Sequence, residues 1–246
     1  PYNGTKSNVV YDSSLGGLKL IDPTANATGT YDFVDTLDLG ATFSLVLKRY
    51  FQGVGFYTGD QFDNRTELID TWTDFDGTVA NDANAKIAVR TTTDDPSSSP
   101  TYTSFNDFAN GTFKGRRFKF KLILETTNVS QNMNVQQAGY TAEFQSRTEQ
   151  NYQTGGSTST APQQSGTSSS GKTVTFGTPF FVGTSSLGGA NAFLPSVGIT
   201  IQNAQSGDFF TVTNVTGTGF IVNIKNGSSF VDRTFTFQAV GYGKGV

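Results

Sequence analysis

The sequence predicts an all-β protein built from two antiparallel β-sandwich modules joined by a Gly/Ser/Thr-rich linker. Three observations favour this class. Apolar and polar residues alternate with a period of two in several segments that turn residues separate. No long segment has the periodicity of an amphipathic helix. The 246 residues include 28 Gly and 22 Phe, while charged residues make up only 15%, a composition typical of strands and turns.

The first predicted module spans residues 31–150, and residues 1–30 predict a linker or an edge strand ahead of it. Its clearest strand is 118–124, where apolar residues alternate with Lys119, Lys121 and Ile123. Such alternation is typical of antiparallel strands with one face in water. Three other segments alternate in the same way: 43–47, 87–91 and 138–144.

The second predicted module, residues 173–246, follows a flexible polar linker at 151–172. Alternation there predicts a small sandwich of six short strands, and Asn226-Gly227 predicts a hairpin. A core this small is only marginally stable alone, which favours an oligomer. The predicted strands are 174–176, 180–182, 197–201, 210–212, 220–224 and 235–239.

Composition excludes several classes of function. A net charge of −3 lacks the basic footprint of a nucleic-acid-binding protein. The absence of Cys and His removes disulfides, thiol nucleophiles, His-based triads and the usual zinc ligands, so no catalytic residue, metal or cofactor is expected. No apolar run is long enough to insert in a membrane. The chain begins at Pro1, and we favour the interpretation that it is a piece of a longer polypeptide.

An acidic cluster around the single tryptophan is one candidate ligand site. Trp72 could stack on a sugar ring, and Asp74 with its neighbour Asp76 could bind calcium or act as an acid–base pair. A polar turn with a packed tryptophan is the more common arrangement.

Two further patterns, one in each predicted module, can be interpreted either as a ligand site or as ordinary structure. In the second module, Asp208 and Phe209 combine a carboxylate with an aromatic ring, as sugar sites do, but a tight turn into a buried strand has the same pattern. A basic set in the first module could bind an acidic glycan or phosphate, although alternating lysines are more often the wet face of a strand. This set comprises Lys114, Arg116, Arg117, Lys119 and Lys121.

The first module resembles a β-sandwich found near the C-termini of tailed-bacteriophage tail-tip and tail-fibre proteins. Three motifs in order carry the resemblance, and Arg90 in the second of them is a further candidate ligand contact. The motifs are Ile69-Asp70-Thr71-Trp72-x-x-Phe75-Asp76-Gly77, Val89-Arg90-Thr91-Thr92-x-Asp94-Asp95-Pro96 and Phe108-x-Asn110-Gly111-x-Phe113-x-Gly115-Arg116-x-Phe118-x-Phe120.

The second module resembles phage tail-fibre C-terminal domains and, more distantly, H-type lectins. The residues that carry this resemblance are Val174-x-Phe176, Pro195-x-Val197, Gly207-Asp208, Thr218-Gly219-Phe220 and Phe237-Gln238-Ala239-x-Gly241-Tyr242-Gly243. The resemblance implies a six-stranded antiparallel sandwich that assembles as a homotrimer and binds sugars. This chain has Phe237-Gln238 where the lectins usually have Trp before the final Ala-x-Gly.

Together these resemblances imply a non-catalytic tail-fibre or tail-tip protein at the distal end of a virion. Its expected partners are other phage tail proteins and a host cell-surface glycan or other receptor. Two alternatives remain: a structural adaptor or virion decoration protein without receptor contact, and a tailspike-like glycan hydrolase.

Overall fold

A computed structural model describes residues 2–58, 68–71, 80–150, 171–185, 187–202 and 204–243. The structure is 60% strand and 1% helix, which confirms the predicted all-β class. Within these described ranges, the helical part is a single 3-10 turn at Ile69–Thr71. By contacts the chain divides into two units, and each is discontinuous in sequence. Unit 1 is Pro1–Leu37, Leu47–Thr112 and Arg117–Ala142, and unit 2 is Asp38–Val46, Phe113–Arg116 and Glu143–Val246.

In the described part of the chain, nine strands form one sheet with the order β1-β4-β8-β5-β9-β3-β2, while β6 pairs with β8 and β7 pairs with β6. The strands are β1 (Thr5–Ser7), β2 (Val9–Asp12), β3 (Gly17–Leu20), β4 (Thr28–Asp32), β5 (Leu37–Tyr57), β6 (Ala83–Thr92), β7 (Asn106–Asp107), β8 (Gly111–Thr126) and β9 (Gln131–Glu143). The N-terminal segment therefore forms strands of this sheet. Two of them, β1 and β2, lie at the two ends of the strand order.

The core of unit 1 follows from the alternation in β8. Phe118, Phe120, Leu122 and Leu124 are buried, while Arg117, Lys119, Lys121 and Ile123, which alternate with them, are half-buried on the opposite face. Burying such a side chain stabilises the fold by about 1.5–3 kcal/mol. Phe120 lies 3.9 Å from Tyr140 between ring centroids, in a stacked pair. The predicted strand and its two faces are confirmed.

Unit 2 contains two sheets that share a hydrophobic core. One has the order β10-β16-β12, and the other has the order β11-β14-β13 with β15 paired to β14. The strands are β10 (Ser146–Gln150), β11 (Lys172–Thr175), β12 (Ser196–Ile201), β13 (Asp208–Thr213), β14 (Gly219–Asn226), β15 (Ser229–Phe230) and β16 (Phe235–Tyr242). The shared core includes Phe220, Val222 and Ile224 from β14 and Phe235, Phe237 and Ala239 from β16.

Unit 2 differs from the sequence prediction in two places. Phe180 and Val182 do not form a strand, because Phe181 makes only an isolated bridge to Tyr242. Instead β10, from residues assigned to the first module, pairs along β16. The predicted hairpin is present: Gly227 has φ +57° and follows Asn226, which pairs with Ser229. The predicted linker at 151–172 lies almost wholly outside the described residues.

An arginine secures the start of β10 within unit 2. The Arg147 guanidinium donates to the carbonyl oxygens of Gly243 (2.8 Å) and Thr178 and to the Glu149 carboxylate (2.9 Å). It also lies 3.8 Å from the centroid of the Phe180 ring. These contacts use one planar cation to hold three separate segments together.

Candidate functional site

The predicted site residues fall in three places. Trp72 and Asp74, with Asp76, lie outside the described residues. Arg90 lies on β6 of unit 1, and Asp208 and Phe209 lie on β13 of unit 2. Arg90 and Asp208 thus belong to different units and are described separately below.

Arg90 is surrounded by aromatic rings and other cations, and we call this group the basic aromatic cluster. Its guanidinium carbon lies 4.9 Å from the centroid of the Tyr102 ring and 4.6 Å from that of the Phe105 ring. The Lys119 Nζ lies 4.7 Å from the Tyr102 ring, and the Lys121 Nζ lies 4.7 Å from the Phe105 ring. Two aromatic residues are thus each in contact with two cations.

Strand register places the cations of the cluster together. Arg90 lies directly opposite Lys119 in the antiparallel pair of β6 and β8, and Lys121 is two residues further along the same face of β8. Like charges directly opposite one another destabilise a sheet, and contact with the aromatic rings offsets part of this cost.

The segment at 101–105 brings the rings over this face. The Thr103 amide donates to the carbonyl oxygen of Thr91 (2.9 Å), and the Thr91 amide donates to the Thr103 hydroxyl (3.1 Å). The Asp94 carboxylate accepts the amide of Thr101 (2.9 Å), so it caps the loop. These hydrogen bonds therefore hold in place the segment that carries Tyr102 and Phe105.

The cluster has an excess of positive charge. Lys121 is paired with Asp32 on β4 at 3.4 Å, and Arg117 donates to the Thr36 hydroxyl at 3.0 Å. Lys119 has no ion-pair partner in the described part of the chain. Partial burial, followed by the charges of Arg90 and Arg117, lowers the pKa of Lys119 below its ordinary value.

Two polar atoms of the cluster are buried without a hydrogen-bond partner: the Arg90 Nε and the Tyr102 hydroxyl. Buried donors normally find partners, so these atoms add an unmet demand for acceptors to the excess of positive charge. Because both atoms are buried, the excess positive charge is the feature of the cluster that suits a ligand with oxygen acceptors and negative charge.

Asp208 has a different role from the one its sequence context suggested. Its carboxylate accepts hydrogen bonds from the Arg233 guanidinium (2.6 Å), the Asn226 side-chain amide (2.8 Å) and the Gln205 backbone amide (2.8 Å). Its side chain is only 1% exposed. The Arg233 hydrogen bond, with smaller effects from Gln205 and Asn226, holds the pKa of Asp208 well below its usual range. The Asp208 carboxylate is therefore engaged in hydrogen bonds within unit 2 and has little capacity to bind a ligand.

Phe209, next to Asp208, is exposed on an edge of the second sheet. Phe209 and Phe210 are 45% and 42% exposed, and among the described residues β13 pairs only with β14. Because Asp208 and Phe209 are consecutive residues of a strand, their side chains project to opposite faces of the sheet. The predicted sugar site of carboxylate and ring is therefore not assembled here.

Sequence reasoning missed Tyr102 and Phe105. They lie in a segment rich in Ser, Thr and Asn that shows no alternation, so the only available signal was the presence of two aromatic residues in an otherwise polar loop. The cations were recognised as a possible anion site, but without the residues that cover them.

In the described residues, no group of three or more acidic side chains is placed to hold a metal ion. In the same part of the chain, no helix is long and apolar enough to cross a membrane. No family model matches the sequence, and searches of curated proteins and of solved structures found no match.

Proposed function

We propose that this chain is a non-catalytic recognition protein of a bacteriophage tail fibre or tail tip that binds an anionic glycan on the host surface. The observation that carries the proposal is the basic aromatic cluster, where Arg90 and Lys119 lie directly opposite each other under the Tyr102 ring. An anion at this face neutralises charges that the fold leaves uncompensated.

The chemistry of the cluster favours a saccharide with carboxylate or phosphate groups. Arg and Lys donate to oxyanions, and the apolar faces of sugar rings pack on aromatic side chains. A net charge of −3 for the chain disfavours nucleic acid, whose binding needs an extended positive surface.

The proposed location of the chain in a virion rests on its resemblance to phage tail proteins. Two of the motifs that carry this resemblance lie on and around β6 and β8. Arg90 belongs to one of these motifs, and the strand that carries Lys119 belongs to another. Other tail proteins are the expected neighbours. In a homotrimer, three weak sites held together would gain avidity for a repetitive glycan.

Binding by Lys119→Gln tests this function. The substitution removes one of two opposed like charges, so we expect the thermal midpoint to rise or stay unchanged while adsorption to cells with an acidic capsule falls about tenfold. Lys6→Gln, the same change at an exposed position of β1, is the control. Labelled protein is incubated with encapsulated cells and with capsule-deficient cells of the same strain.

The proposal fails if the wild-type chain binds both kinds of cell equally, or if Lys119→Gln adsorbs as the wild type does. Binding should also weaken with added salt, because exposed charges are screened over about 10 Å at 0.1 M ionic strength.

A structural role as an adaptor is a second candidate, and the β13 edge favours it. An exposed edge strand invites pairing with another chain, and its one charged residue, Asp208, is turned into the ion pair with Arg233 and cannot guard the edge. Phe210→Lys should then reduce self-association in light scattering, and the wild-type chain should not adsorb to host cells. An unchanged molar mass would contradict this role.

A further inference from the structure

A second group of cations lies at a cavity of about 290 Å³ in unit 1, which we call the Arg49 cavity. It is lined by Arg49 and Phe51 of β5, by Ala85, Lys86 and Ile87 of β6, and by Asn110 just before β8. Its volume is at the lower end of the range for ligand pockets, which suits a single sugar residue better than a larger molecule.

The polar groups of the Arg49 cavity are hydrogen-bond donors. The side-chain oxygen of Asn110 accepts the backbone amide of Arg49 (2.8 Å), which leaves the Asn110 NH₂ group as the donor end. Arg and Lys side chains carry donors and no acceptor. The three side chains therefore select for a ligand group that only accepts hydrogen bonds.

The charges at the cavity are incompletely neutralised. Lys86 forms loose ion pairs with Asp107 (3.7 Å) and Glu125 (3.8 Å), at distances longer than a hydrogen bond. The Arg49 side chain is exposed and has no ion-pair partner in the described ranges. Arg49 is thus a cation at the cavity without an ion pair in the described ranges, and it lies beside a Lys86 that two carboxylates neutralise.

Apolar side chains complete the lining. Ile87 is buried, and the Phe51 ring is 38% exposed. Donors with an aromatic and an aliphatic side chain beside them match a sugar ring that carries an oxyanion, because the ring has apolar faces and the oxyanion accepts several hydrogen bonds.

We propose that the Arg49 cavity binds one oxyanion-bearing sugar residue, with Arg49, Lys86 and Asn110 donating to its carboxylate or phosphate oxygens. This site deepens the proposed function and rests on it, since the sugar belongs to the same anionic glycan. Lys86 and Arg90 are four residues apart on one face of β6, about 13 Å along the strand. An extended acidic glycan can therefore occupy the cavity and the basic aromatic cluster together.

Titration of the full chain with monosaccharides, followed by NMR, tests the cavity. The probes are glucuronate, glucose 6-phosphate, inorganic phosphate and glucose. We expect saturable shifts of the Phe51 and Asn110 amide signals with the two acidic sugars and none with glucose. The stronger of the two acidic sugars identifies the source of the oxyanion.

Arg49→Gln should weaken binding of the preferred acidic sugar about tenfold, because it removes the charged guanidinium and its two parallel hydrogen bonds to the oxyanion. Because Arg49 is exposed, the variant keeps its fold, and an unchanged thermal midpoint verifies this. Lys6→Gln, which removes a positive charge at an exposed position of β1 outside the cavity, is the control. Equal binding of glucose, equal binding of inorganic phosphate, or full affinity in Arg49→Gln would overturn the proposal.

Cell adsorption separates this inference from the proposed function. If Arg49→Gln adsorbs normally and Lys119→Gln does not, the cavity assignment fails and the recognition function stands. If neither variant loses adsorption, the recognition function itself fails.

Discussion

At the scale of single residues, charge pairs decide which polar groups belong to the fold and which are available to a ligand. Asp208 is saturated by Arg233, Asn226 and the Gln205 amide, whereas Lys119 faces Arg90 with no contact ion pair in the described residues and only the weaker attraction of Asp32. The first arrangement stabilises unit 2. The second costs stability, and such a cost is typical of a surface kept for binding.

Asp208 gives the protein a specific acid sensitivity. Its pKa is lower in the folded chain than the ordinary value of 3.8, so the unfolded state takes up the proton first as pH falls. The contribution of Asp208 to the free energy of unfolding is fully present well above pH 3.8 and declines as the pH drops below that value. We expect Asp208→Asn to unfold at lower urea concentration than the wild type at pH 7, and the difference between the two proteins to shrink at pH 3.

The control for this prediction is Asp107→Asn. The Asp107 side chain is 74% exposed and its ion pair with Lys86 is long, at 3.7 Å, so the pair adds little stability. The substitution should scarcely change the urea midpoint at pH 7. A difference between Asp208→Asn and the wild type that is equally large at pH 3 and pH 7 would contradict the role of the ion pair.

At the scale of elements, close backbone contacts restrict the strands of unit 2 to glycine at certain positions. A Cβ on Gly219 would lie 2.2 Å from the carbonyl oxygen of Val174, across the β11–β14 pair. Because this neighbour is backbone, the strands must separate to admit a methyl group. We expect Gly219→Ala to destabilise the protein by about 2 kcal/mol or more, measured by urea unfolding.

Gly111→Ala is the matched control, since a Cβ there meets nothing within 4 Å and its φ is not positive. It should leave stability within about 0.5 kcal/mol of the wild type. Equal effects of the two substitutions would show that loss of glycine flexibility, rather than the contact with Val174, determines the result.

The elements themselves were largely predictable from sequence, because a period of two directly records which face of a strand is buried. Residues 118–124 are the clearest case: their apolar side lies in the core, as expected. The site was less predictable. Arg233 is 25 residues from Asp208, and Asn110 is 61 residues from Arg49, so their contacts depend on tertiary structure that alternation does not encode.

At the scale of the whole molecule, the positive groups stand out against an acidic chain. The protein has 20 acidic and 17 basic residues, yet the basic aromatic cluster combines Arg90, Lys119 and Lys121 with one ion-paired carboxylate, that of Asp32. An anionic surface is repelled by the chain as a whole and attracted by this cluster. Electrostatic attraction is then local, which favours a defined orientation on such a surface.

The two contact units should unfold together, because two strands contribute residues to both. In β5, Asp38–Val46 belongs to unit 2 and the segment from Leu47 belongs to unit 1, and β8 is divided in the same way at Arg116. Unfolding of either unit therefore removes part of β5 and part of β8, two strands that the other unit shares. We expect one calorimetric transition whose van't Hoff and calorimetric enthalpies agree, and Gly219→Ala should shift the whole transition to lower temperature. Two resolved transitions, with only one of them moved by Gly219→Ala, would show instead that each unit holds its share of β5 and β8 independently.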